Sequence, residues 1–86
     1  MDRGTVVRSM AGRDKGRYYV VTHTDESAVY IADGKFHHLD APKRKNPLHL
    51  HRTTVRLDEE TMAANGRLCK ALRERFVENR SQGFVE

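Results

Sequence analysis

The sequence contains a single cysteine, Cys69, and no tryptophan. One cysteine cannot form an intramolecular disulfide, and a cysteine-based zinc motif needs a second cysteine at a suitable spacing. No apolar run approaches the roughly 18 residues that a membrane-spanning helix requires, and the N-terminal residues Met1–Gly4 do not begin the apolar stretch of a signal peptide. These absences predict a cytoplasmic protein with no membrane partner.

The chain is short and basic. Its 86 residues suffice for one small domain, which buries only about 60% of the surface of its unfolded chain, so a deep catalytic cleft is not expected. Sixteen Lys and Arg against twelve Asp and Glu give a net charge of +4. This balance favours a polyanionic partner such as nucleic acid, although a basic soluble protein without such a partner has the same composition.

The positive charge is concentrated in the first two thirds of the chain. Residues 1–57 hold eleven Lys and Arg against six Asp and Glu, whereas residues 58–86 hold five against six. The first segment also contains every His, Pro and Tyr of the sequence. We therefore predict two parts, a basic β-rich unit in 1–57 and a C-terminal helical extension in 58–86.

Short strands dominate the first part. A hairpin turn at Asp33-Gly34 is predicted to lead into a further strand at Lys35–His38, followed by a basic loop from Ala41 to Pro47. Closely spaced short strands predict a small β-barrel, and the second strand carries apolar residues on both faces. The other strands are predicted from clusters of β-branched and aromatic residues at Thr5–Ser9, Arg17–Thr24, Ala28–Ala32 and Arg52–Leu57.

A helix is predicted in the second part, with Asp58 as its N-cap. The pair Asn65-Gly66 is expected to divide a first turn from the main helix, because glycine is unfavourable in a helix interior. An apolar stripe then follows at helical spacing, and it either packs on the barrel or docks on another protein. The stripe consists of Leu68, Leu72 and Phe76, widened by Cys69 and Val77.

The most specific pattern lies between the first two strands. An apolar strand, a charged loop bracketed by Gly12 and Gly16, and a second apolar strand follow one another. Two glycines let the backbone turn tightly and approach a partner closely, while Arg13, Lys15 and Arg17 supply cations for a phosphate backbone. The alternative is an ordinary strand connection with solvated charges.

This pattern resembles the KOW family of ribosomal proteins and transcription elongation factors. The segments Val29–Gly34 and Pro42–Leu50 are similar to a KOW subgroup akin to the L14e/L27e-like large-subunit ribosomal proteins of archaea and eukaryotes. Many KOW motifs have a further glycine where Tyr19 stands here, a departure that fits the ribosomal subgroup better than the elongation factors. The resemblance covers roughly residues 3–52 and implies an SH3-like β-barrel that binds RNA, often on a ribosome.

A second basic element lies between the two prolines, Pro42 and Pro47. The prolines limit the freedom of the loop, so less entropy is lost if it docks on RNA; the alternative is a patch that only aids solubility. We expect it to act together with the Gly12–Gly16 loop. The predicted RNA-binding residues of the two elements are Gly12, Arg13, Lys15, Gly16, Arg17, Lys43, Arg44, Lys45, Asn46 and His49.

Aromatic residues offer either stacking surfaces for unpaired bases or core packing. A domain this small needs its aromatic side chains in the core, so burial is the expectation for most of them. The residues concerned are Tyr18, Tyr19, Tyr30 and Phe36.

Neither metal binding nor catalysis is expected. The histidines His37, His38, His49 and His51 form no four-ligand set of known spacing. Cys69 falls in the apolar stripe, where a thiol is usually inert packing, and the Asp residues lie in turns, where they bond backbone groups.

The sequence therefore predicts a mainly β protein, an SH3-like barrel with a C-terminal helical segment, that is not an enzyme and uses no cofactor. Its expected partner is structured, ribosomal RNA, and the free protein is expected to be monomeric. The alternative function is a protein-interaction adaptor that docks on a translation or transcription complex through the barrel or the C-terminal helix.

Overall fold

The computed structural model of the protein describes residues 1–74, which form an antiparallel sheet followed by one helix. The strand order in the sheet is β4-β3-β2-β1-β5. The strands are β1 (Thr5–Ser9), β2 (Tyr18–Thr24), β3 (Val29–Ala32), β4 (Lys43–Lys45) and β5 (Leu50–Arg56). The helix α1 spans Asn65–Leu72, and 3₁₀ turns occupy Pro47–His49 and Thr61–Ala63.

Four of the predicted strands are confirmed. The first has the predicted bounds, and the others differ by one or two residues at their ends. In these segments β-branched and aromatic residues pack on a pleated surface, which is the environment they favour. A mainly β architecture with a C-terminal helix follows directly from this pattern.

The predicted strand at Lys35–His38 is wrong. One oxygen of the Asp33 side chain accepts hydrogen bonds from the backbone N–H groups of Lys35, Phe36 and His37, each at 2.9 Å. These donors are satisfied locally and are not used in a strand ladder. The segment is a compact turn, in which Gly34 has the positive φ that the sequence predicted.

The predicted basic loop between Pro42 and Pro47 is also wrong in part. Lys43–Lys45 form β4, which pairs antiparallel with β3 in the register Val29↔Lys45 and Ile31↔Lys43. β4 is an edge strand, and lysines on an edge discourage pairing with another chain.

The sheet buries apolar residues on both faces, as the second strand predicted. Val6 and Val20 lie on the face that α1 covers, in one buried cluster with Leu68 and Leu72. The opposite face has its own cluster, centred on Tyr19 and containing Val7, Val21, Val29, Ile31 and Leu50.

The helical part has a separate first turn, as the sequence indicated, but the prediction of Asp58 as the N-cap of the helix is wrong. The Asp58 carboxylate accepts a hydrogen bond from the Thr61 N–H at 2.8 Å at the start of the 3₁₀ turn, while α1 itself starts at Asn65, with Ala64 as its N-cap. The Asn65 side chain accepts a bond from the Leu39 N–H at 2.7 Å, which ties the helix start to the turn before β4. Within residues 1–74, no helix is long and apolar enough to cross a membrane.

Candidate nucleic-acid interface

The Gly12–Gly16 loop is a tight turn that presents its cations outward. Both glycines have positive φ, +85° and +90°, a conformation that other residues rarely adopt. The Gly16 N–H donates to the Ser9 carbonyl at 2.7 Å and closes the turn at the end of β1. Arg13 and Lys15 are exposed on the outside of this turn.

Asp14, in the middle of the loop, points the other way and is buried. Its carboxylate accepts hydrogen bonds from the Ser9 hydroxyl at 2.8 Å, the Tyr19 hydroxyl at 3.1 Å and the Lys45 ammonium at 3.0 Å. The Lys43 ammonium lies 3.6 Å from Oδ2 of Asp14, the oxygen that also accepts from Tyr19. We call these five residues the Asp14 network.

The Asp14 network joins the two basic elements that are far apart in the sequence. The Lys45 ammonium also donates to the Ala11 carbonyl at 3.3 Å. This lysine of β4 therefore bonds to the Asp14 side chain in the loop and to the main chain just before the loop. The two elements, which the sequence expects to act together, are therefore in direct contact.

The contacts of the Asp14 network shift the pKa values of Asp14 and Tyr19. Burial alone raises the pKa of Asp14, but the hydrogen bond from Ser9 and the ammonium group of Lys45 outweigh it and hold the pKa of that carboxyl well below its usual range. Burial raises the pKa of the Tyr19 phenol, and the neighbouring Asp14 charge raises it further. Asp14 is thus an anion and Tyr19 a neutral donor across the physiological range.

The predicted site residues divide into exposed and structural ones. Arg13, Lys15, Arg17 and Arg44 are exposed, and Lys43 is half-buried. The Lys45 side chain is only 9% exposed, and its ammonium is bonded to Asp14. In this position Lys45 stabilises the fold, and it is not exposed for the phosphate contact that the sequence predicted.

Asn46 and His49 have local structural roles. The Asn46 side-chain oxygen accepts from the Leu48 N–H at 2.9 Å and caps the 3₁₀ turn. His49 has an exposed side chain, and its main-chain carbonyl accepts from the Met10 N–H at 2.8 Å.

The aromatic residues have different environments. Tyr19 is buried, Tyr18 and Tyr30 are half-buried, and Phe36 is 58% exposed. The Arg17 guanidinium lies 4.5 Å and the Lys35 ammonium 5.1 Å from the centre of the Phe36 ring. Sequence reasoning named Phe36 only as one of four aromatics; the clustering of Lys35 and Phe36 after an Asp-Gly turn was the available signal.

The two leucines of the apolar stripe belong to the core, whereas Cys69, which widens the stripe, is half-buried. Leu68 and Leu72 are buried against the sheet and are not a free docking face. Phe76 and Val77, which the sequence assigned to the same stripe, lie outside the described residues. In residues 1–74, no group of three or more His, Cys, Asp or Glu side chains is placed to hold a metal ion.

No protein-family model matches the sequence, and no curated protein matches it at a significant level.

Proposed function

We propose that this protein binds structured RNA through the surface formed by the Gly12–Gly16 loop, the adjoining Arg17 and β4, here called the basic surface. One observation carries the proposal: the buried Asp14 carboxylate bonds the loop to β4 and so places Lys43 beside the loop that carries the exposed Arg13 and Lys15. The resemblance to KOW proteins supports the same conclusion. The proposal includes three further points: the five strands close into an SH3-like barrel, the target is ribosomal RNA, and the protein is cytoplasmic.

The charge on the basic surface suits a phosphate backbone. The segments 12–17 and 43–45 carry six cations and one carboxylate, Asp14, a net charge of +5. Lys43 and Lys45 contact Asp14, whereas Arg44 donates to the Ser27 hydroxyl and acts on the nearby Asp25 carboxylate. Since Asp14 is engaged mainly with Lys45, the exposed cations keep their charge for an external anion. Such contacts fix the position of the nucleic acid and depend on its shape more than on its base sequence.

The backbone of the loop is also accessible at Gly12, whereas Gly16, which was predicted to permit the same close approach, is buried. A side chain at Gly12 would contact only the tips of Asp14 and Lys45, at 3.7 and 3.9 Å, and Gly12 itself is exposed. Because Gly12 has no side chain, a phosphate can approach the main chain closely at this position.

The test is a binding titration of the intact protein with a stem-loop RNA over a range of salt concentrations. If the surface neutralises about five phosphates, the log–log salt slope will be roughly −3.5 to −4.5. The double variant Arg13→Glu/Lys15→Glu should lose most of the affinity. The matched control is Arg67→Glu/Lys70→Glu, which reverses two exposed cations on the helix and should bind far better than the loop variant. A flat salt dependence, or equal loss in both double variants, would contradict the proposal.

Sedimentation of a cell lysate through a sucrose gradient tests the ribosomal assignment separately. The protein should migrate with the large ribosomal subunit at low salt and be released at high salt. A position at the top of the gradient in both conditions would redirect the proposal to another RNA.

A further inference from the structure

A concave pocket lies beside the basic surface, between the end of the Gly12–Gly16 loop, the Asp33–Phe36 turn and the end of α1. Its volume is about 270 Å³, slightly below the range typical of drug-sized ligands. Phe36, Leu72 and Tyr18 give the pocket an apolar lining, Arg17 and Lys35 add cations, and Asp33 adds one carboxylate, which is engaged by the N–H groups of its own turn. A pocket of this size and composition suits a single flat ring system with an attached anion.

Phe36 is held rigidly although it is exposed. The three hydrogen bonds to Asp33 fix the backbone of the turn, including the Phe36 N–H itself. A large aromatic ring that is 58% exposed on a small domain presents apolar surface that a ligand can cover. Because the turn is already ordered, little entropy is lost when a ring stacks on Phe36.

The cations around Phe36 define which ring would bind. Arg17 and Lys35 lie within about 5 Å of the ring centre, and Arg73 lines the same pocket from the end of α1. Bases stack on aromatic rings and on guanidinium planes alike, and the adjacent positive charges attract a phosphate. A base with its phosphate uses both the aromatic ring and the cations, which outnumber the one carboxylate of the pocket, Asp33, by three to one; an apolar peptide side chain would use the ring alone.

We propose that this pocket binds one unpaired nucleotide of the RNA, with its base stacked on Phe36 and its phosphates beside Arg17, Lys35 and Arg73. The inference rests on the proposed function, since Arg17 belongs to both the basic surface and the pocket. It also specifies the kind of RNA that is bound. The preferred RNA is a stem that carries a bulged or looped-out base, because no base is free to leave the stack in an uninterrupted duplex.

Two RNAs that differ in one nucleotide test this inference with the intact protein. One is a blunt-ended paired stem formed by two separate strands without a loop, and the other is the same stem with a single 2-aminopurine bulge. The wild-type protein should bind the bulged RNA about tenfold or more tightly than the paired one, a preference within the range that stacking one base on an aromatic side chain provides. The 2-aminopurine fluorescence should be quenched on binding.

Variants at the exposed positions locate the effect. Phe36→Leu keeps an apolar side chain but removes the ring, and it should abolish the preference and the quenching while binding of the paired stem is unchanged. Phe36→Tyr should retain both. Lys35→Ala should weaken binding of the bulged RNA more than Lys70→Ala, which removes an equally exposed lysine on the outer side of α1.

The outcomes distinguish the two proposals. If the wild type binds both RNAs with the expected salt dependence but Phe36→Leu keeps the preference for the bulge, the pocket proposal is overturned and the basic surface stands. Equal affinity of the wild type for the two RNAs overturns it as well. If neither RNA binds, both proposals fail, and a protein partner at Phe36 becomes the better explanation of the pocket.

Discussion

The Asp14 carboxylate accepts a hydrogen bond from the Lys45 ammonium at 3.0 Å, and both side chains are about nine-tenths buried. This ion pair connects a loop after β1 to the edge strand β4, across a separation of 31 residues. Taking two charges out of water is unfavourable, so the pair is stable only because further hydrogen bonds satisfy the carboxylate. Here Ser9 and Tyr19 supply those bonds.

Removing one partner of this pair should destabilise the fold. Asp14→Asn leaves the buried Lys45 without its counter-charge, and we expect unfolding in urea to require about 3 kcal/mol less than in the wild type. The double variant Asp14→Asn/Lys45→Met should recover part of this loss. Strictly additive effects of the two substitutions would show that the ion pair is not energetically coupled. Glu59→Gln is the control, since it breaks the exposed Arg3–Glu59 pair and should change stability little.

Stability should fall in acid because of the same carboxylate. The pKa of Asp14 is lower in the folded protein than its usual value of about 3.9, so its contribution is complete above that pH and is lost as the pH falls below it. Urea titrations between pH 6 and pH 2 should show a steeper decline for the wild type than for Asp14→Asn. Parallel curves for the two proteins would exclude this role, because the other carboxylates with lowered pKa, such as Asp25 and Asp58, are common to both.

The parts of the fold that sequence reasoning found are those determined by local pattern. β1 and β2 are rich in valine, tyrosine and threonine, and their strand structure needs no knowledge of the neighbours. β4 has no such signal, since Lys43–Lys45 are three consecutive cations that become a strand only because β3 offers an edge. The strand predicted at Lys35–His38 is wrong for a related reason: the Asp33 side chain, and not a second strand, satisfies the N–H groups of Lys35, Phe36 and His37.

Sequence reasoning named the cations of the candidate site, but it did not predict which of them are exposed and which are buried in contacts. Arg13 and Lys15 are exposed beside an Asp that looks, in sequence, like any other loop carboxylate. That Asp14 turns inward depends on Tyr19 and Lys45, which reach it from other strands. Contacts between distant residues leave no trace in the spacing of a single sequence, so the division between exposed and structural lysines required the structure.

Two glycines near the start of α1 should respond oppositely to alanine. Gly34 has a φ of +80°, and a Cβ there would collide with the Asn65 carbonyl oxygen, so Gly34→Ala should lower stability by about 2 kcal/mol or more. Gly66 lies in the helix with open space around its Cα, and Gly66→Ala should raise stability by up to about 1 kcal/mol. Thermal unfolding followed by circular dichroism measures both. A similar melting temperature for the two variants would mean that the helix does not pack on the Gly34 turn as described.

The contribution of α1 to the core can be measured at a single leucine. Leu68 is fully buried in the cluster with Val6 and Val20, so Leu68→Ala removes apolar contacts and leaves a cavity. We expect a loss of about 3 kcal/mol in the free energy of unfolding, a large share of the stability of so small a domain. The matched control is Leu48→Ala, because Leu48 is 87% exposed on the 3₁₀ turn and its truncation should change stability by less than about 0.5 kcal/mol. If both variants unfold like the wild type, Leu68 is not part of the core, and the apolar face of α1 is available to a protein partner, as an adaptor would require.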